Sequence, residues 1–400
     1  MIKVYPRKFL DYSYGNISSA LAFTLNPFLD EDKIIDEIQE MWPGENLIVG
    51  LSVRTIFDRI LNQKAYKKGS EVIMSGITIP DMVKIVEAHG LTVVPVDLDM
   101  DLLQVNEEDL SKVITDKTVM VVAAHLFGSI MNMDPIYSAL KHRPDIFIIE
   151  DCAQAFDGVQ NYTKQSKTDL SMFSFGSIKS VTALGCAIAF SKEPEIQKNI
   201  KTGFLDYERV PNSQFMFKVL KYMMMKVLSM PLIYGLFIVY CRMMKIDYDK
   251  AIVSTVRMVK NFDLLESIRK IPPKSQLRYL LHRLSNMRKD HFRRRIEAGD
   301  YVRDRLENCN VHGKHNKTHS YWLFPISTDN RSSLVRALRH SGFDATFTST
   351  QLVTVKKTGN DHEIPKNCDK YMSATIYLPV YESLPKRRLD ELISVVNKNT

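Results

Sequence analysis

Between residues 71 and 189 the chain repeats one pattern, a short β-rich run, a turn and a helical segment, and this alternation constrains the fold more than any other feature. Residues 71–74 lead to a helical stretch around 81–89; 92–96 is a second run, 106–113 a short helix, and 118–124 an uninterrupted apolar run. A helix near 135–142 and a run over 146–150 follow. Strands separated by helices pair in parallel, because the crossover carries the chain back to the same end, and the helices then cover both faces. Such sheets bind ligands beyond the carboxyl ends of their strands. His125, Asp151 and Lys179 each fall just after a β-rich run.

Four regions are expected. Residues 1–25 read as an N-terminal arm without strong periodicity, 26–205 as a large α/β domain, 206–295 as a helical connector, and 296–400 as a smaller α+β domain. In the large domain, 30–42 space Ile34, Ile35, Ile38 and Met41 at helical intervals, and 47–54 pass from a strand into a helix through Tyr66, with Ser52 as N-cap. In the small domain, 320–326 and 375–380 read as strands, 331–341 as a helix ended by Gly342, and 385–396 as a final helix.

The connector is compositionally unlike the rest. Residues 214–246 hold seven of the nineteen Met, and 227–241 form an uncharged run of fifteen residues between Lys226 and Arg242. That is shorter than the 18 or so residues of a spanning helix. Two readings stay open: a buried or dimer-interface hairpin broken at Pro231, and a segment lying on a membrane with Lys218, Lys221, Lys226, Arg242 and Lys245 at anionic headgroups. The formal charge of +8 is local to the next stretch: Arg269, Lys270, Lys274, Arg278, Arg283, Arg288, Lys289, Arg293, Arg294 and Arg295 face one acid, Asp290, for a local +9. Leu277, Leu280, Leu281 and Leu284 stripe this region at helical spacing without stacking aromatics, so a basic face of a long helix is expected and no nucleic-acid partner. Membrane contact is the partner reading for 214–246 and 269–295 together.

The five cysteines are odd in number, dispersed and without a Cys-x-x-Cys pair, which excludes a disulfide framework and a cysteine zinc site and fits a reducing, cytoplasmic setting. His312, His315 and His319 are the nearest approach to metal-ligand spacing and read as a polar loop; no metal is expected. The first residues carry no secretory signal, so a cytoplasmic protein, peripherally membrane-associated at most, is expected.

The chemistry centres on Asp151 and Lys179. A lysine held in a partly dry pocket has a lowered pKa and can form a Schiff base with an aldehyde. An Asp facing a pyridine nitrogen keeps it protonated and makes the ring an electron sink. Together they are the minimal pair for pyridoxal 5'-phosphate (PLP). Ser52, Val53 and Arg54 open a helix whose N–H groups can take the phosphate, with Arg54 adding charge; Ser174 can add a hydroxyl donor, Gln154 can reach the ring oxygen, and His125 can line the ring or substrate.

The ordered set His125-Leu126-Phe127-Gly128, Glu150-Asp151-Cys152-Ala153-Gln154-Ala155, Phe173-Ser174-Phe175-Gly176-Ser177-Ile178-Lys179 and Tyr377-Leu378-Pro379-Val380-Tyr381 resembles the DegT/DnrJ/EryC1/StrS family of aminotransferases. The resemblance implies the PLP-dependent transferase type I fold, with a mainly parallel seven-stranded sheet, helices on both faces and a small C-terminal α+β domain. It further implies Lys179 as the Schiff-base lysine and proton carrier, Asp151 at the pyridine nitrogen, Gln154 at the ring oxygen, Ser174 at the phosphate, and a homodimer. The chain departs from the family at Val53 and Arg54, within a usual Ser-Gly-Thr, and at Ile79, where an aromatic often stacks on the ring. The expected function is transfer of an amino group from a small-molecule donor, glutamate by expectation, to a carbonyl acceptor. An amphiphilic or lipid-linked acceptor met at the membrane is set against a soluble nucleotide keto-sugar, and both against a non-catalytic scaffold retaining the fold.

Overall fold

The computed structural model describes residues 3–249, 251, 263–288, 290–347, 351–359 and 363–400. Seven strands form the central sheet: β1 (Asn46–Gly50), β2 (Glu71–Ser75), β3 (Thr92–Val96), β4 (Thr118–Ala124), β5 (Phe147–Asp151), β6 (Leu170–Ser174) and β7 (Ala187–Ser191). Their spatial order is β1-β7-β6-β5-β4-β2-β3. β7 runs antiparallel to both neighbours and every other pairing is parallel. Alternate residues supply two cores. Val72, Met74, Met120, Val122 and Ile149 pack with the helix Val53–Lys64, whereas Ile73, Val94, Val121, Ala123 and Ile148 pack on the opposite face with Leu110 and Ile136. Each such side chain contributes about 1.5–3 kcal/mol by leaving water.

The small domain is a three-stranded antiparallel sheet, Asn310–Val311, Phe324–Ser327 and Thr375–Leu378, packed with the helices Arg331–His340 and Lys386–Asn399. The strand expected over 320–326 begins only at Phe324. Residues 320–323 instead dock on the loop after β4, where Ser320 N–H donates to Gly128 O (2.7 Å) and Leu323 N–H to Phe127 O (3.0 Å).

The arm contains a helix that its weak periodicity does not announce. A helix, Tyr14–Thr24, begins at Ser13, whose side chain and that of Asn16 cap each other's backbone N–H groups. It packs against helices on two sides, Asn212–Leu228 and Lys274–Ser285, so its apolar residues show no single-faced period.

The connector holds two helices, Asn212–Leu228 and Pro231–Met243, meeting at 90°. Pro231 cannot continue the first helix and starts the second at its first turn. Phe215, Val219, Tyr222, Tyr234, Ile238 and Cys241 are buried, while Phe217, Met224, Leu232, Leu236, Tyr240 and Met243 are exposed. Among the described residues no single helix is long and apolar enough to cross a bilayer, although the bent pair together meets that length and composition. Two of the cations expected at headgroups face inward. Lys218 is desolvated beside Cys186 and Arg54, and Lys226 donates to Leu10 O (3.0 Å) over the Phe9 ring.

The basic run is two helices, Lys274–Ser285 and His291–Arg303, rather than one long solvated face. Its leucine stripe is buried as expected. Arg269 pairs with Asp58, Arg278 with Glu37, Arg288 with Asp290 and Arg293 with Glu297. Arg283 donates to Thr182 O (3.0 Å), to Asn16 and to Asp11. Arg269, Arg278 and Arg283 thus meet acids and carbonyls far away in the chain, whereas Arg288 and Arg293 pair with near neighbours. Lys289 and residues 252–262 lie outside the described residues. All five cysteines are free thiols.

Because Arg283 is buried and joins the arm to the segment after Lys179, Arg283→Met should cost on the order of 3 kcal/mol of unfolding free energy. Arg288→Met, an exposed pair, should change it by less than about 0.5 kcal/mol. Urea unfolding of the two variants checks the contrast; equal midpoints would refute it.

Candidate active site

Lys179 sits on the turn following β6, its N–H donating to Gly176 O (2.9 Å). Its Nζ lies 3.9 Å from the centroid of the Trp322 ring. Burial lowers its pKa to about 8; Arg54 pushes the same way and Asp151 opposes. Asp151 ends the neighbouring strand β5, with Oδ1 accepting from Ala153 N–H (3.0 Å). Burial raises this carboxyl above its usual range, an effect that the Ala153 N–H, Lys179 and His125 offset in part. An amine and a carboxylate, both desolvated, are therefore coupled across two adjacent parallel strand ends.

Gln154 follows in the loop after β5. Its Oε1 accepts from Phe127 N–H (2.9 Å), which leaves the amide NH₂ as the outward donor. His125 is fully buried and both ring nitrogens are committed: Nδ1 accepts from Met131 N–H (2.8 Å) and Nε2 donates to Glu150 (2.9 Å). It therefore locks the ends of β4 and β5, and its nitrogens are not free to bind a ligand. His125, Glu150 and Cys152 bring metal-ligand atoms together, yet the Glu150 oxygens are taken by His125, Gln165 N–H, Tyr162 and Thr168. Among the described residues, His312, His315 and His319 form no such cluster.

At the phosphate end, Ser52 caps the helix Val53–Lys64 by accepting from Thr55 N–H (3.2 Å), and Ser174 Oγ accepts from Gly176 N–H (3.3 Å). Val53 is buried. Arg54 is ion-paired with Asp81, so its charge is shared and compensates less for the missing glycine than sequence suggests. Lys218, from the connector, adds a second cation near Arg54. Ile79 is part-buried among the apolar residues of both cores.

Three residues at this site are not evident from sequence. Trp322 covers Lys179 and donates its indole N–H to Ile178 O (3.0 Å); it lies in a stretch that reads as strand. Lys8, in the arm, reaches the same ring at 3.6 Å. Lys218 reads as an outward charge. A lone tryptophan beside a β-rich run in the small domain is the one sequence signal among them.

The donor set fits PLP. A half-buried carboxylate with one oxygen hydrogen-bonded is matched to a pyridinium, a half-buried amine of lowered pKa to the aldehyde, and a capped helix start with Ser174 to the phosphate.

The comparisons agree with this chemistry. The chain matches the DegT/DnrJ/EryC1/StrS aminotransferase family over residues 59–216 and 277–397. Those residues include Asp151, Gln154, Ser174, Lys179 and Trp322, and leave out Ser52, Val53, Arg54 and most of the connector. GDP-perosamine synthase of Escherichia coli O157:H7 is 36% identical over 117 residues, 29% of this chain and 32% of that protein. UDP-4-amino-4-deoxy-L-arabinose–oxoglutarate aminotransferase of Shewanella sediminis is 30% identical over 133 residues, 33% of this chain and 34% of that protein. The chain thus aligns with about a third of the length of each curated relative. Among solved structures, E. coli GDP-4-keto-6-deoxy-D-mannose-3-dehydratase with bound hydrated PLP superposes with a TM-score of 0.70 at 16% identity, over 99% of this chain and 100% of that one. The sugar aminotransferase CalS13 of Micromonospora echinospora gives 0.69 at 14% identity, over 100% of both. The two superpositions establish the shared α/β fold, and the extended family match shows that this chain belongs to the PLP-dependent DegT/DnrJ/EryC1/StrS aminotransferase family.

Proposed function

We propose that this protein is a PLP-dependent aminotransferase that moves an amino group from a small-molecule donor, glutamate by expectation, to a carbonyl acceptor. The observation that carries the reading is the desolvated Lys179 amine coupled to the desolvated Asp151 carboxylate at the ends of β6 and β5. Bound PLP supplies an electron sink for transfer of the nitrogen. Lys179, with a pKa near ambient pH, is suited both to attack a carbonyl and to carry a proton. Asp151 holds the opposing charge, Gln154 offers an amide donor, Ser52 and Ser174 offer hydroxyls at the anion end, and Trp322 keeps water from Lys179. Assembly as a homodimer, the family expectation, is part of the proposal.

For the acceptor we favour a nucleotide-linked keto-sugar, a reading supported by the sugar-nucleotide names of both curated relatives. A second reading, an amphiphilic or lipid-linked acceptor met at a membrane by a cytoplasmic protein, draws on the exposed stripe Leu232, Leu236, Tyr240 and Met243, with Arg242 and Lys245 exposed beside it. The inward Lys218 and Lys226 and the paired basic helices weaken that second reading.

Purified protein supplied with PLP should develop a visible absorption band that Lys179→Ala lacks. Because the neutral amine is the nucleophile, the rate of cofactor capture should rise about tenfold per pH unit below a pH of about 8 and level above it. A colourless wild type, or a rate flat from pH 6 to 9, would sink the assignment; a normal band with no turnover on any amino donor would favour a scaffold.

In a pelleting assay with anionic liposomes, membrane contact predicts that wild type sediments and that Leu232→Ser/Leu236→Ser/Tyr240→Ser stays in the supernatant. Equal recovery of both in the supernatant assigns the stripe to something other than lipid.

A further inference from the structure

We propose that Lys8 and Arg295 form an anion subsite beside Lys179 that receives a carboxylate of the amino donor. The arm is pinned just before this point. Val4 N–H donates to Pro231 O (2.9 Å), Tyr5 N–H to Gly342 O (2.8 Å), and Asp344 N–H to Tyr5 O (3.0 Å). Arg7 then pairs with Asp344 (2.7 Å) and with Asp249. With Arg7 held by these acids at the edge of the cleft, Lys8 lines the cleft beside Lys179.

There Lys8 places its ammonium 3.6 Å from the Trp322 centroid, on the ring that also carries Lys179 at 3.9 Å. The Lys8 Nζ is buried and has no hydrogen-bond partner among the described residues. Arg295, 7% exposed, donates Nε to Ser320 O (2.5 Å) and Nη1 to Ser180 Oγ (2.8 Å), while its buried Nη2 has no partner among the described residues. Two orphaned cationic donors thus line one cleft with Lys179.

The cleft's own carboxylates do not answer them. Asp11 is committed to Val181 N–H, His291 and Arg283, and Glu382 is half-exposed and reaches neither cation within ion-pair distance. Burial first, then repulsion from Lys179 and Arg295, holds Lys8 well below its ordinary pKa. A buried amine without a hydrogen-bond partner is unfavourable, and an arriving carboxylate supplies the partner and favours its protonated form. The cleft measures about 40 Å³. A single water needs about 10–15 Å³ on this scale, so the space beside the two donors admits a carboxylate group.

The identity of the anion rests on the aminotransferase reading; the existence of the subsite does not. The chain has two tryptophans, Trp42 and Trp322, so cofactor-loaded Trp42→Phe protein reports the cleft through Trp322 emission. Glutarate and 2-oxoglutarate should each change that emission saturably. Lys8→Met should weaken both by at least about tenfold, as expected for loss of a buried charge partner, and Lys8→Arg should recover most of the affinity. Ligand-free Lys8→Met should melt at or above the wild-type temperature, because it removes a buried amine that has no hydrogen-bond partner among the described residues. Unchanged affinity in Lys8→Met, saturation by UDP but by neither dicarboxylate, or a lowered melting temperature each overturns the proposal. Dicarboxylate binding in protein that shows no visible cofactor band would leave the subsite standing and remove the aminotransferase reading.

Discussion

The turn that follows Lys179 is held in a backbone conformation that its residues do not favour. Val181, Leu184 and Cys186 have φ of 50°, 58° and 68°, left-handed values that cost non-glycine residues about 1–3 kcal/mol each. The contacts that hold them come from elsewhere in the chain. Asp11 accepts from Val181 N–H (2.5 Å), Arg283 donates to Thr182 O (3.0 Å), Gln276 to Ala183 O (3.4 Å) and Arg295 to Ser180 Oγ (2.8 Å). Burial opposes the charge on Asp11, but His291 and Arg283 outweigh it and keep the carboxylate ionised. The arm and the two basic helices therefore act as a clamp on the segment that carries the reactive lysine. Arg283 and Arg295 are the cations of these helices that fix geometry at the site.

This clamp explains why the two halves of the molecule were unequally legible. Strands β2 to β5 could be read because each is a short apolar run bounded by turns, and the helices between them leave only a parallel pairing. Asp151 and Lys179 could be placed because they lie at the ends of such strands. The clamp depends on pairs such as Asp11 with Arg283, more than 270 residues apart, and no local pattern records them. A count of charges over 269–295 registers +9 but not Asp58, Glu37 or Asp11 waiting elsewhere. The same limit hid Trp322: the β-propensity of Tyr321, Trp322, Leu323 and Phe324 reads as a strand, whereas docking on the Phe127–Gly128 backbone bends the first three out of it, with Tyr321 at φ 48°.

The connector shows that composition alone does not say which face of a helix is buried. Its apolar run is real, and Pro231 breaks it where expected. One face joins the large-domain core through Phe215, Val219 and Tyr222 and brings Lys218 toward Arg54, while the other remains exposed. The position where the family match lapses is thus also the one that supplies a cation near the Ser52 helix start, beside an Arg54 already held by Asp81.

Two lysines share the Trp322 ring, and the account assigns them different work: Lys179 to the cofactor and Lys8 to the donor. Borohydride reduction of the PLP-loaded protein, followed by digestion and mass spectrometry, distinguishes them directly. One phosphopyridoxyl group is expected, on the peptide that contains Lys179. Its appearance on the peptide that contains Lys8, with Lys179 unmodified, would contradict the central assignment.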